Sequence, residues 1–345
     1  MSFNHSIATA SDLELQLSLP TAGVLETLRA IHGNFLVLGA GGKMGPTLSR
    51  MVRRGLEAIE ETHRTVTAVS RFSSRMAEGS LRQQGVRTMA CDLLDRKQVE
   101  ALPDAPNVIF MAGQKFGTSD SPDQTWAMNT YVPALIAERY SKSRIVVFST
   151  GCVYPLTTVD GPGSNEKDSL GPIGDYANSC VGRERIFSYF SKLYSTPMLM
   201  FRLSYAIDLR YGVLSDVAQK VARGIPVDIT MPVVNVIWQG DANARAIQCL
   251  AHTRSPATAL NVTGSERVSI RWLAERFGEL FRRPPTFTGQ EAPTAWLFDT
   301  RRSYEWFGEP TVPLEQMIQW TAQWVQQGGE TLGKPTHFEV RDGKY

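Results

Sequence analysis

The stretch Asn34-Phe35-Leu36-Val37-Leu38-Gly39-Ala40-Gly41-Gly42-Lys43-Met44-Gly45 constrains the fold more than any other part of the chain. An apolar run of strand length breaks into glycines, and a helical pattern follows from Pro46 through Leu56. A dinucleotide-binding βαβ unit requires that order. Gly39 would permit the tight turn off the strand, Gly42 the approach of backbone to a pyrophosphate, and Gly45 the close packing of helix on sheet. The helix N-terminus then offers unpaired N–H groups and a partial positive charge to phosphates. Lys43 and Met44 lie inside the same candidate cofactor-binding loop. Glycine strings also occur in ordinary turns, so the placement between strand and helix carries the reading.

The rest of the chain repeats the alternation. Thr65 to Val69 reads as a second strand ending at Ser70-Arg71, and a short third strand leads to Cys91-Asp92-Leu93-Leu94-Asp95. Asn107 to Met111 runs into Ala112-Gly113-Gln114-Lys115-Phe116-Gly117, followed by a helix containing Asn129. Arg144 to Phe148 ends at Ser149-Thr150-Gly151-Cys152-Val153-Tyr154-Pro155. After a Gly/Pro/Ser-rich loop, Thr157 to Gly174, comes a helix carrying Asp175 to Glu184, then a strand from Met198 to Leu203. Strands alternating with helices over this length predict an α/β fold with a doubly wound parallel sheet. Upstream, Val24, Leu25, Leu28 and Ile31 recur at helical spacing and Gly33 supplies a stop.

Composition narrows the classes. The 345 residues suit two lobes better than one core. A formal charge of +2, from 36 basic and 34 acidic residues spread along the chain, points to neither a nucleic-acid nor a membrane partner. No apolar run approaches the roughly 20 residues of a membrane helix, and Met1 to Ala10 lacks the pattern of a secretory signal. Cys91, Cys152, Cys180 and Cys249 have no C-x-x-C spacing and read as reduced thiols, which predicts a cytoplasmic protein without a zinc site. His5, His32, His63, His252 and His337 are too scattered for a triad or metal centre.

The ordered motifs resemble the extended short-chain dehydrogenase/reductase family, its sugar-nucleotide epimerase and dehydratase branch in particular. The resemblance runs from about Asn34 to about Gly328. It rests on the glycine loop, Asp92-Leu93, the Ala112-Gly113-Gln114-Lys115 loop, Asn129, and Ser149-Thr150-x-x-Val153-Tyr154. Glu166, Pro172 and Tyr176 continue it, as does Asn261-Val262-Thr263-Gly264-Ser265-Glu266. It implies a Rossmann-type lobe over 34–205 plus 233–262. A smaller, mostly C-terminal α/β substrate lobe would take 206–232 plus 263–345, with 1–33 as a helical extension. The tail from Gly328 has no counterpart in the resemblance; alternation of Phe338 and Val340 with polar residues favours an ordered cap. A homodimer through the helices after the fourth and fifth strands is expected by analogy alone.

In that family a tyrosine phenolate takes the proton of a substrate hydroxyl while hydride leaves the same carbon for a nicotinamide, and a serine or threonine hydroxyl orients the substrate oxygen. Tyr176 matches the tyrosine and Thr150 the hydroxyl. A lysine four residues after the tyrosine normally lowers its pKa, but that position is Cys180. A free tyrosine is ionised to about one part in 10³ at neutral pH, a deficit of roughly 4 kcal/mol that a nearby cation reduces. Three outcomes stay open: Lys115 reaches the site from the other side, the oxidised nicotinamide's charge suffices, or hydride chemistry is lost and the fold senses nucleotide. The dehydratases' Asp-Glu pair after the threonine is Gly151-Cys152 here, which argues against elimination of water.

The remaining site expectations concern the cofactor. The second strand ends at Ser70-Arg71 with no carboxylate for a ribose 2′-hydroxyl, so NADP is favoured over NAD. Asp92 and Leu93 would meet the adenine, and Ala112, Gly113, Lys115 and Asn129 would line the nicotinamide side. The expected partner is a small carbohydrate-like substrate. Trp238 reads as core more readily than as a stacking platform. Arg202 and Arg210 could meet a phosphate or carboxylate, or form surface ion pairs.

Overall fold

A computed structural model describes residues 7–115, 120–334 and 336–344. Phe116 and Gly117 of the loop singled out above, and Met1 to Ser6, lie outside these. Seven strands form one parallel sheet: β1 (Phe35–Leu38), β2 (Val66–Ser70), β3 (Arg87–Ala90), β4 (Asn107–Phe110), β5 (Arg144–Thr150), β6 (Met198–Leu203) and β7 (Thr258–Val262). Their spatial order is β7-β6-β5-β4-β1-β2-β3. The central strands β1 and β4 are buried at every position, as strands covered by helices on both faces must be, and β3 at the edge is half exposed. In register, β1 pairs with β2 on one side and β4 on the other. The strand order reverses between β1 and β4, and their C-terminal ends therefore part to leave a crevice.

The sequence reading placed one helix ahead of the sheet; there are two. α1 (Ala10–Gln16) begins with a capping box in which Thr9 and Asp12 satisfy each other's backbone. α2 (Ala22–Ala30) is capped by Thr21. The two serve different cores. Val24 and Leu28 of α2, with Ile31 just after it, join the apolar layer beneath the sheet, whereas Leu13 of α1, with Leu17 just after it, joins the second core. Leu28 presses against Gly55 of α3 (Gly45–Ala58), where a larger residue would collide with it. Glu14 of α1 pairs with Arg50 on α3 and with Arg210 beyond β6.

The sheet's other helices are α4 (Arg75–Gln83), α5 (Arg96–Glu100), α6 (Pro122–Trp126), α7 (Val132–Arg139) and α8 (Gly174–Tyr194). The second core gathers α9 (Val213–Arg223), then, past α10 (Gln239–Gln248), α11 (Ile270–Phe281), and, past α12 (Arg301–Phe307), α13 (Leu314–Gln326). Trp238 is buried against Trp320 in it, a core position. The described part of the tail packs back on this body: Phe338 is buried, and Gly343 lies against Gly174 so closely that a Cβ on either would strike the other's backbone.

Candidate active site

The loops after β1, β2, β3, β4, β5 and β6 converge on one cleft at the C-terminal edge of the sheet. Gly39, Gly42 and Met111 line it throughout its length. Toward β2 it is bounded by Ser70, Arg71, Asp92, Leu93, Ala112 and Gly113. Toward β5 it opens into a cavity of about 290 Å³ walled by Lys43, Met44, Gly45, Lys115, Thr150, Cys152 and Tyr176. Thus all but one of the sequence-derived residues meet at a single cleft. The exception is Asn129, which is buried behind it: its Oδ1 accepts from the Gln114 amide at 3.0 Å, and its Nδ2 donates to the Gln114 carbonyl at 3.1 Å.

The glycines divide the work as their geometry dictates. Gly39 has φ +85°, a turn that L side chains rarely adopt. A Cβ on Gly45 would lie 2.5 Å from the Ala40 backbone, so its absence lets α3 start against the strand. Gly42 differs: a Cβ there would meet only the Gly39 carbonyl, at 3.4 Å, and the cleft otherwise. Bare backbone facing an open cleft at the start of a helix fits a diphosphate. Gly42→Ala is therefore expected to leave stability within about 0.5 kcal/mol of the parent while weakening nicotinamide-dinucleotide binding about tenfold or more, measured by fluorescence titration. Unchanged affinity would remove Gly42 from the binding surface.

At the other end, the Tyr176 hydroxyl lies beside the Thr150 hydroxyl and the Cys180 thiol. Thr150 Oγ1 accepts from the Cys152 amide at 3.2 Å, which fixes the turn after β5. Burial first, then the neighbouring Cys180 and Cys152, holds the Tyr176 phenol well above its ordinary pKa; Arg183 and the Thr150 hydroxyl oppose this. The Cys180 thiol is pushed up to about 11, mainly by burial, and is an inert small hydrophobe. Lys115 does reach this cavity: its Nζ donates to the Thr336 carbonyl at 3.4 Å, near the Cys152 and Cys180 thiols. Burial lowers its pKa.

Several features were invisible in the sequence. Lys43 leaves the glycine loop to donate to the Ala206 carbonyl at 2.9 Å, 4.2 Å above the Tyr211 ring, and burial brings its pKa down to about 7. Tyr205, with φ +42°, and Tyr211 form part of the wall with Trp296 and Phe298. Phe298 fills the space where Gly151 has no Cβ, so the site of the dehydratases' acidic residue is occupied by an aromatic ring. Thr336 of the tail donates to Asp216 Oδ2 from its amide at 2.8 Å and from its hydroxyl at 2.5 Å, bringing the tail over the cavity. Arg183 lies on α8 seven residues past Tyr176, a helical spacing that returns it to the same face.

Arg202 and Arg210 are both buried, in ion pairs rather than on the surface. Arg202 forms a buried bidentate pair with Glu184, and Arg210 is held by Asp208 and Glu14. His252 stacks on Trp306. Among the described residues no cluster of His, Cys, Asp or Glu could hold a metal, and no helix is long and apolar enough to cross a membrane.

The profile of one family matches residues 35–229, more than half of the chain, and that family is the NAD-dependent epimerases and dehydratases. The chain belongs to the NAD-dependent epimerase/dehydratase family. No curated protein matches its sequence significantly. Among solved structures, a UDP-glucose 4-epimerase of Thermotoga maritima, with UDP-glucose, is similar at TM-score 0.69 and 18% identity, over 86% of this chain and 99% of that one. The Thermus thermophilus UDP-glucose 4-epimerase with NAD is similar at TM-score 0.66 and 19% identity, over 85% and 99%. A dTDP-glucose 4,6-dehydratase of Bacillus anthracis, with NAD, is similar at TM-score 0.71 and 17% identity, over 86% and 97%. At these identities the neighbours establish the Rossmann-type fold; the family match establishes the membership.

Proposed function

We propose that this protein is an NAD(P)-dependent oxidoreductase or epimerase acting at a carbinol carbon of a sugar, sugar nucleotide or related polyol. The observation that carries the reading is that Tyr176 and Thr150 line one end of a cleft whose other end is lined by the glycine loop. A bound nicotinamide supplies the hydride acceptor. Tyr176 takes the proton of the substrate hydroxyl, and Thr150 orients that oxygen. Gly39, Gly42, Lys43, Met44 and Gly45 hold the diphosphate, Ser70 and Arg71 the adenosine ribose, and Asp92 and Leu93 the adenine. Ala112, Gly113 and Lys115 border the nicotinamide side. Asn129 acts from behind by fixing the Gln114 backbone. Water elimination is disfavoured, because Phe298 stands where an acidic pair would work.

NADP is the proposed cofactor, since Ser70 and Arg71 suit a 2′-phosphate better than a 2′-hydroxyl. Parallel fluorescence titrations with NADPH and NADH test this: NADPH should bind more tightly, and Arg71→Asp should reverse the order. Tighter NADH binding by the parent protein would overturn the preference while keeping the site. The partner included in this reading is a second copy, through the helices after β4 and β5, where Trp126, Tyr131, Tyr189, Leu193 and Tyr194 are exposed.

A further inference from the structure

A half-buried phenol that shares its cavity wall with a thiol is a poor base unless a positive charge stands near it. Cys180, one turn beyond Tyr176, offers none. One further turn along the same face of α8 stands Arg183, only 5% exposed. Its Nη1 donates to the Phe148 carbonyl at 2.8 Å and its Nη2 to Asn129 Oδ1 at 2.5 Å, while its Nε finds no partner. These acceptors are neutral oxygens, and among the described residues no carboxylate pairs with the guanidinium; the adjacent Glu184 is committed to Arg202 and Ser149. The cation is therefore buried with no counter-charge beside it, only neutral oxygens and the Phe110 ring 5.7 Å from its Cζ, which is costly.

Its connections run back to the site. Asn129 Nδ2 donates to Ser179 Oγ at 2.9 Å, and Ser179 Oγ donates to the Tyr176 carbonyl at 2.8 Å. Gly113, on the cleft floor, has room for no Cβ because the Arg183 guanidinium occupies that space. Here a glycine expected to serve the cofactor also admits a cation from behind. The charge of Arg183 acts on both the Tyr176 hydroxyl and the Cys180 thiol, favouring their ionised forms.

We propose that Arg183 is a positioning residue of the Tyr176–Thr150 site, holding the Tyr176 turn of α8 through Asn129 and Ser179 and adding, through its own charge, the positive environment that lets Tyr176 work as a base. This rests on the catalytic reading of Tyr176 given above. Other groups face the same phenol or its immediate neighbours: Cys180 and Glu184 on α8, Cys152 after β5, and Lys115 from the loop after β4, on which Asp216 of α9 acts in turn.

The test needs no substrate and so separates this inference from the proposed reaction. Tyr176 is replaced by a fluorinated tyrosine whose phenol ionises near neutral pH, and its fluorine resonance is followed against pH in the full chain. Arg183→Gln is expected to raise the ionisation midpoint by at least one pH unit, a tenfold loss of phenolate at fixed pH; Arg183→Lys should hold it near the parent value. Cys180→Lys combined with Arg183→Gln should bring it back. Arg183→Met serves as the neutral replacement if the glutamine variant fails to fold. The inference is overturned if the neutral variants titrate as the parent does, if Lys115→Met and not Arg183→Gln moves the midpoint, or if the parent phenol stays protonated throughout the protein's stable pH range. Failure of every sugar to turn over, with the midpoint shift intact, would instead count against the reaction alone.

Discussion

Tyr176→Phe is expected to bind NADPH as the parent protein does and to lose about 10²–10⁴ of its turnover, the usual contribution of a positioned general base. Removing one oxygen leaves the ring in the cavity wall and Cys180 and Thr150 in place, so neither fold nor cleft volume should change. The measurement is a screen of UDP- and dTDP-hexoses for oxidation or epimerisation, followed by kcat and KM of both proteins on the sugar that reacts. A fall confined to kcat assigns the hydroxyl to the transition state. Full activity in the variant would falsify the acid/base assignment. If cofactor binds tightly and no carbinol substrate turns over in either protein, the nucleotide-sensing alternative takes precedence.

Glu184→Ala should be the most destabilising single change to a polar residue near the site, at about 3–5 kcal/mol, because it strands a buried cation. Both carboxylate oxygens bind Arg202, at 3.0 and 2.7 Å, and Oε1 also accepts from Ser149 at 2.6 Å. Arg202 in turn donates to the Tyr154 hydroxyl at 2.5 Å, and that hydroxyl donates to Asn261 at 2.9 Å. One carboxylate thus ties β5, α8, β6 and β7 together directly beneath Thr150. Urea unfolding is the measurement, with Glu184→Leu/Arg202→Leu as the contrast. The paired apolar variant should recover much of the loss, since no charge is left behind. A Glu184→Ala shift below about 1 kcal/mol would mean that Arg202 finds another partner or water.

The legible part of this protein was the part governed by local rules. The glycine loop, the strands from Val66, Asn107, Arg144 and Met198, and the helix bearing Tyr176 all lie where period and punctuation put them, within a residue or two at most ends. Buried parallel strands must be continuously apolar, and tight turns must be glycine, so both leave a mark in the sequence. α1 escaped notice because seven residues carry too little periodicity, and its capping box was the overlooked signal. Arg202 reads in the sequence as meeting a phosphate or carboxylate or forming a surface ion pair, and its ion pair is instead buried, because nothing local announces a partner eighteen residues away on another element.

Sequence alone therefore determined the α/β class, the order of the βα units, and the residues gathered at the strand ends, because chain connectivity in a parallel sheet brings those ends to one edge. Tertiary structure decided which charges enter the cavity. Lys43 turning onto Tyr211, the tail's Thr336 meeting Lys115, and Arg183 passing behind Gly113 are contacts between segments remote in the chain. Their energies depend on burial and distance, quantities that exist only once the chain has closed on itself.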